Sequence, residues 1–363
     1  MKAKANKKVK AWVVTVDMGY GHQRAAYPLK DIAYGGIINA NNYRGIPKSD
    51  RDIWFKQRSF YEAVSRFKRV PLVGNAAFKL YDYFQSIPKF YPKRDLSKPS
   101  LQVWAADHMI KNGWGRHLVK KISGRKLPLV TSFFITAMMA EIHGFLGEIY
   151  CVICDADISR AWVPLNPKTT RIKYFAPNQR VLERLQEYGV PKARIILTGF
   201  PLPPENLGYP SFGNLKEDFK NRLLNLDPNH HYIKNYKNTL LAVLKIKNFP
   251  KQSNHPLTLT FAVGGAGAQR ELGAEIIKEL AADILSHRIN VNLIAGIHSD
   301  VNLFFKKAVV EAKLAKELKK YVTILFERNK AEYFKKFNTL LRKTDILWTK
   351  PSELSFYTAL GLP

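Results

Sequence analysis

Short apolar runs alternate along most of this chain with stretches in which apolar residues recur every third or fourth position. The first run, residues 11–16 (AWVVTV), predicts a buried strand. It leads through Asp17-Met18-Gly19-Tyr20-Gly21-His22 into a helix expected to start at Arg24, Ala25 and Ala26. From residue 101 the alternation is regular. Residues 128–134 read as a strand, 136–145 as a short helix, and 149–154 as a strand closing on Asp155-Ala156-Asp157. Another strand is expected over 171–176, with Asn178 as the N-cap of a helix that carries Val181, Leu182, Leu185 and Tyr188 on one face. Gly189 and Pro191 stop that helix, and 194–198 is one more strand.

The stretch GFPLPPENLGYP then breaks the order, and residues 211–255 read as a polar helical segment to which no chemistry is assigned. A second alternating block starts at Leu257. It has strands LTLTFAV, VNLIAGI, YVTILFE and DILWT, a glycine turn Gly264-Gly265-Ala266-Gly267, and helices over 269–285, through Lys320 and through Arg342. Strands separated by single helices need crossover connections, which make parallel sheets with ligands at the carboxyl ends of their strands. The expected fold is therefore α/β with two Rossmann-like domains. Residues 1–204 form the first, with an insertion over 43–100; 205–255 form a linker or helical insertion; 256–363 form the second. A sheet of this kind would ordinarily continue past Pro363, so the second domain is expected to be truncated.

Charge sharpens the picture. The 363 residues carry a net charge of +29, which calls for an anionic partner or serves solubility alone. Within 43–100, basic residues interleave with Trp54, Phe55, Phe60, Tyr61, Phe67, Phe78, Tyr81, Tyr83, Phe84, Phe90 and Tyr91. That mixture suits an anionic lipid surface. It also suits the stacked bases of single-stranded nucleic acid, or a helical insertion whose aromatics are core. Cys151 and Cys154 lack the second pair that a zinc site wants, and read as buried thiols of a reducing cytosol. The basic start MKAKANKK precedes an apolar stretch too short for a signal segment. The long apolar region 127–154 is interrupted by Glu141, His143 and Glu148, which argues against a transmembrane helix.

Three turns are candidates for chemistry. Glycines at 19 and 21 let the backbone approach a ligand where a helix begins, and would set His22 at the mouth of a cleft; a tight turn with a solvent-facing histidine fits the same residues. The loop Gly264 to Gly267 is where a diphosphate could lie, with a bare connection as the alternative. Lys350-Pro351-Ser352-Glu353 opens a helix naturally, and Ser352 with Glu353 could also hold sugar hydroxyls or a phosphate.

Four stretches in the same order carry a family resemblance: DMGYGHQRAA, the segment VICDADISRAWV through YFAPNQRVLERLQEYGVPKARIILTGFP, VGGAGAQ, and DILWTKPSELSFYTALGLP. Together they resemble the GT-B glycosyltransferases that include monogalactosyldiacylglycerol synthase, bacterial diacylglycerol glucosyltransferases and the N-acetylglucosaminyltransferase of peptidoglycan-precursor synthesis. The likeness spans most of the chain except 43–100 and 205–255. It implies transfer of a hexose from a UDP-sugar to a membrane-associated lipid acceptor with inversion, with no cofactor or metal beyond the UDP-sugar co-substrate.

By that resemblance Gly19, Gly21 and His22 match an acceptor-side loop that runs on to Arg24, where His22 is a candidate base or acceptor ligand; the ordinary pKa of a histidine suits the base that transfer needs, with Asp155 or Asp157 in reserve. Gly264, Gly265 and Gly267 match the donor loop, and the helix start after them, with Gln269 and Arg270, would supply positive character to the diphosphate. Lys350 and Pro351 match a lysine-proline turn, where Ser352 and Glu353 replace the usual paired glycines and Thr358 stands near the place of a ribose-gripping glutamate. The implied setting is cytoplasmic, peripheral at the inner face of the membrane, with nucleic acid disfavoured and the oligomeric state undetermined. A nucleotide-sugar 2-epimerase and a non-catalytic polyanion or membrane-surface binder are the competing readings.

Overall fold

The computed structural model describes residues 9–56, 87–263, 267, 269–349 and 353–363. The chain divides into two compact units between Pro201 and Leu202. In the first, β1 (Trp12–Thr15), β2 (Ile38–Asn39), β3 (Leu129–Thr131), β4 (Ile149–Val152), β5 (Ile172–Ala176) and β6 (Ile195–Leu197) form one parallel sheet in the order β2-β1-β3-β4-β5-β6. The residues of β1 and β3 are buried throughout, as expected for strands covered on both faces. The chain passes to one side of β1 for β2 and to the other for β3. The topological switch point therefore lies between β1 and β3, where open α/β sheets place their ligands.

Local chemistry explains the boundaries. The helix after β1 is Tyr20–Ala26, so it begins four residues before the Arg24 start that small residues suggested. Gly19, at φ 111° and ψ 165°, makes this early start possible: it turns the chain in a region that L side chains rarely adopt. The helix Gln179–Glu187 starts as its sequence predicts, with the Asn178 side chain accepting from the Val181 N–H.

Of the aromatic residues in 43–100, Trp54 is core: it packs edge-on against Trp114, centroids 4.7 Å apart, a contact worth about 1 kcal/mol beyond burial. Phe90 lies beneath Lys93, Arg180 and Arg184, whereas Phe55 and Tyr91 are exposed. Phe60, Tyr61, Phe67, Phe78, Tyr81, Tyr83 and Phe84 lie outside the described residues.

Residues 87–97 carry no regular structure and are strapped to the helix Gln179–Glu187. Arg184 donates to the Pro88 carbonyl at 2.8 Å, Lys93 bonds Glu183 at 2.7 Å, and the Leu96 N–H reaches the Glu187 carbonyl at 2.9 Å. Arg160, buried, donates to the carbonyls of Ser97, Val163 and Pro164, so it fastens the end of the strap to the loop after β4.

The second unit holds a parallel sheet of β7 (Leu257–Ala262), β8 (Ile289–Gly296), β9 (Val322–Phe326) and β10 (Ile346–Thr349) in the order β10-β7-β8-β9. Its switch point falls between β7 and β10. The helix expected over 269–285 is two, Arg270–Glu279 and Ala281–Leu285. Gly273 lets the first lie close on the sheet: a Cβ there would stand 2.7 Å from Phe305 and 2.9 Å from Phe261. The polar segment before β7 forms the helices Pro204–Leu207, Gly213–Leu226, His231–Asn235 and Lys237–Leu244. Arg222 on the second of these is buried and donates to the carbonyls of Thr344, Leu360 and Gly361. Among the described residues no helix is long and apolar enough to cross a membrane.

Candidate active site

The carboxyl ends of β1, β3 and β4 bring together residues far apart in sequence. His22 stands in the first turn of Tyr20–Ala26, Ser132 directly follows β3, and Cys154 and Asp155 follow β4. Nδ1 of His22 lies 2.8 Å from the carbonyl oxygen of Ser132. A carbonyl only accepts, so Nδ1 carries the proton and the neutral ring keeps its lone pair on Nε2. The Cys154 sulfur is 3.2 Å from the same Nδ1 and its thiol points to Asp155 Oδ1 at 3.9 Å. The imidazole packs edge-on against Phe133, centroids 4.7 Å apart, with Trp162 at 6.1 Å.

The electrostatics follow from this packing. Removal of water lowers the His22 pKa below its ordinary 6.5, against the opposing pull of Asp155 and the Ser132 carbonyl. The ring is thus held as the neutral base through the neutral pH range. Asp155 shifts upward: its carboxyl group loses part of its hydration to the surrounding chain, and His22 and the Cys154 thiol oppose the shift. Burial pushes the Cys154 thiol well up, so it stays protonated.

Asp157 is placed differently. Burial raises its pKa, but its bonds to Arg184 and Arg180, with the Ile158 N–H, outweigh burial and hold it low. The distances are 3.0 Å to Arg184 Nε, 2.7 Å to Arg180 Nε and 2.9 Å to Ile158 N. Its carboxylate is committed to the two arginines of the helix Gln179–Glu187 and to the Ile158 N–H rather than to His22.

Of the acceptor-side residues, Gly19 caps the helix, Gly21 lies in its first turn beside His22, and Arg24 is buried on its inner face at 1% exposure. Sequence reasoning did not single out Ser132, or Asn41, whose side chain accepts from the Asp17 N–H at 2.9 Å and donates to the Asp17 carbonyl at 3.2 Å, fixing the turn. Both are polar residues at strand ends with no periodic signature.

In the second unit, Gly264, Gly265, Lys350, Pro351 and Ser352 lie outside the described residues. Gly267 adopts φ 64°, and a Cβ on it would stand 3.2 Å from the ring of His298, which follows β8. Gln269 caps Arg270–Glu279. Arg270 faces its own acids, Asp300 at 3.1 Å and Glu271 at 3.5 Å, and lies over Phe304. Glu353, beyond β10, is buried and caps Leu354–Ala359.

Residues 306–360 match the model of a family described as a domain of unknown function, DUF6938. No curated protein matches the chain. Among solved structures, the chain is similar to the UDP-GlcNAc 2-epimerase of Methanocaldococcus jannaschii in complex with UDP-GlcNAc and UDP, at 12% identity and a TM-score of 0.33, over 98% of this chain and 83% of that one. At that identity and score the likeness says nothing of substrate or reaction here.

Chemically, the first unit offers a neutral imidazole with a fixed tautomer, a carboxylate next to it through a thiol, and a helix start at a switch point. That set can take a proton from a hydroxyl group. Among the described residues no three of His, Cys, Asp and Glu gather as metal ligands would.

Proposed function

We propose that this protein is a hexosyltransferase that moves a sugar from a UDP-sugar to the hydroxyl group of a lipid acceptor, with inversion. The observation that carries the reading is the His22 geometry: Nδ1 is tied to the Ser132 carbonyl at 2.8 Å and the pKa is lowered by burial, so Nε2 is the basic nitrogen. His22 takes the acceptor hydroxyl proton as the oxygen attacks the anomeric carbon. The carbon–oxygen bond to the diphosphate breaks on the opposite face, and UDP leaves with that electron pair. Asp155, one thiol away, stabilises the imidazolium that results.

The donor belongs with the second unit in this reading. Support comes from the switch point between β7 and β10 and from the glycine at 267 with its left-handed backbone. Arg270 serves there by holding the loop through Asp300 rather than by meeting the diphosphate with a free charge.

The test offers UDP-hexoses with total membrane lipid and reads the products by mass spectrometry. A glycolipid formed by the native chain and lost in His22→Ala, with donor affinity kept, supports the reading; unchanged turnover in the variant removes His22 as base. Conversion of UDP-GlcNAc to its 2-epimer without acceptor would assign the epimerase instead.

A further inference from the structure

The stretch 127–140 (LPLVTSFFITAMMA) sets the hydroxyl groups of Thr131, Ser132 and Thr136 among apolar neighbours. These residues are buried, and a buried hydroxyl is stable only where it is bonded. Where those bonds go matters, because the Ser132 carbonyl is the group that holds the proton of His22 on Nδ1.

Ser132 leaves β3 still attached to β1. Its N–H donates to the Val14 carbonyl at 3.1 Å, and its hydroxyl meets that of Thr15 at 2.9 Å. Neither bond fixes ψ of Ser132, on which the direction of its carbonyl depends. That carbonyl belongs to the same planar peptide unit as the Phe133 N–H, so whatever holds the N–H also aims the oxygen. The Phe133 N–H donates to Thr131 Oγ1 at 3.2 Å, while the oxygen on the opposite side of the unit reaches His22 Nδ1 at 2.8 Å. Thr131 is held in its turn. Its hydroxyl bonds that of Thr136, which donates to the Phe133 carbonyl at 2.7 Å, and the same carbonyl lies 3.3 Å from Thr131 Oγ1. Two threonine side chains and the backbone of Phe133 thus close a ring of bonds at one side of the peptide unit.

We propose that Thr131 is a positioning residue, which sets the tautomer of His22 by orienting the Ser132–Phe133 peptide unit. Without the Thr131 hydroxyl the Phe133 N–H is buried and unpaired, and the unit is driven to turn toward another acceptor. The Ser132 oxygen then leaves Nδ1, where the Cys154 sulfur at 3.2 Å is too weak an acceptor to keep the proton. A neutral ring protonated on Nε2 has no lone pair there to take a proton from a hydroxyl. The effect on turnover rests on His22 being the base of the proposed transfer; the effect on the tautomer does not.

The experiment labels the histidine nitrogens of the full chain and reads the ring by long-range proton–nitrogen correlation at about pH 8, above the ordinary histidine pKa. The His22 signals are those lost in His22→Gln. The native ring is expected as the Nδ1–H form. Thr131→Val keeps the branched shape without the hydroxyl; it should bring up the Nε2–H form and lower kcat about 10- to 100-fold with the donor KM unchanged. Thr131→Ser restores the hydroxyl and should return both readouts to native. Thr15→Val removes a hydroxyl as deeply buried whose bond lies off the peptide unit, and should lower the melting temperature while the tautomer stays native.

An unchanged tautomer in Thr131→Val overturns the proposal. So does an Nε2–H form that persists in Thr131→Ser or that rises equally in Thr15→Val. Should Thr131→Val fail to fold, Thr136→Val, which takes away the partner of the Thr131 hydroxyl, is read in its place: the Nε2–H form upholds the proposal and an unchanged ring overturns it. A tautomer that shifts as expected in a chain that transfers no sugar upholds Thr131 and sinks the transferase alone.

Discussion

The carboxyl ends of the two sheets share a topology and differ in what their side chains are free to do. In the first unit the residues around the switch point hold one titratable ring in a fixed tautomer, with Ser132, Cys154 and Phe133 touching it. In the second, the nearby cation Arg270 is already neutralised by Asp300 and Glu271, and what the described residues contribute is shape, a glycine pressed close to His298. The same βα architecture therefore supplies a switch point twice, but sets a neutral imidazole beside one and an arginine already paired with acids beside the other. The difference between the two ends lies in those few side chains and not in the sheet beneath them.

The sharpest way to break this contrast is His22→Ala, which should cost about 10²- to 10⁴-fold in kcat for transfer while the melting temperature barely moves. A comparable loss from Arg270→Ala would erase the distinction between the ends. Next comes the strap. Arg184→Met leaves Asp157 and Glu187 without their buried cation and should destabilise the first unit by about 3 to 5 kcal/mol in urea unfolding. Arg222→Met in the second unit, whose bonds go to carbonyl oxygens, should cost less, about 2 kcal/mol. Gly267→Ala forces a Cβ into a left-handed backbone against His298. It should cost about 1 kcal/mol and weaken donor binding measured by calorimetry, with kcat at saturating donor unchanged.

The remaining effect is pH-dependent. His22 has a folded pKa below 6.5, so the unfolded chain binds a proton that the folded one refuses. Its contribution to stability is complete above pH 6.5 and declines as pH falls below that value, by at most about 1.4 kcal/mol per pH unit. His22→Gln should remove that slope from the unfolding free energy. Transfer by the native chain should persist somewhat below pH 6.5 for the same reason.

Much of the fold was legible in the sequence because buried parallel strands and amphipathic helices leave periodic marks. The run at 257–263 and the Asn178 cap with Val181, Leu182 and Leu185 are such marks, and the corresponding elements form where they indicate. The start of the first helix was misjudged because Tyr20 and Gly21 look like turn residues, and only the backbone at Gly19 shows that the helix has already begun. The single helix expected over 269–285 breaks at Leu280, a point no glycine or proline announces. The candidate base was legible as a histidine behind two glycines. Its partners were not, because a main-chain carbonyl such as that of Ser132 has no sequence signature at all.

By itself, the sequence determined the alternation of strands and helices, the parallel sheets it implies, the excess of positive charge and the absence of acids between Asp227 and Glu271. Those properties depend on neighbours along the chain, where spacing of three, four or two positions decides which side is buried. Only the tertiary structure decided that Ser132 and Cys154, more than a hundred residues from His22, fix its tautomer, that Arg180 and Arg184 claim Asp157, and that Asp300 claims Arg270. Hydrogen bonds and ion pairs act over about 3 Å whatever the separation in sequence, so which groups meet is settled only when the strand order brings their ends together.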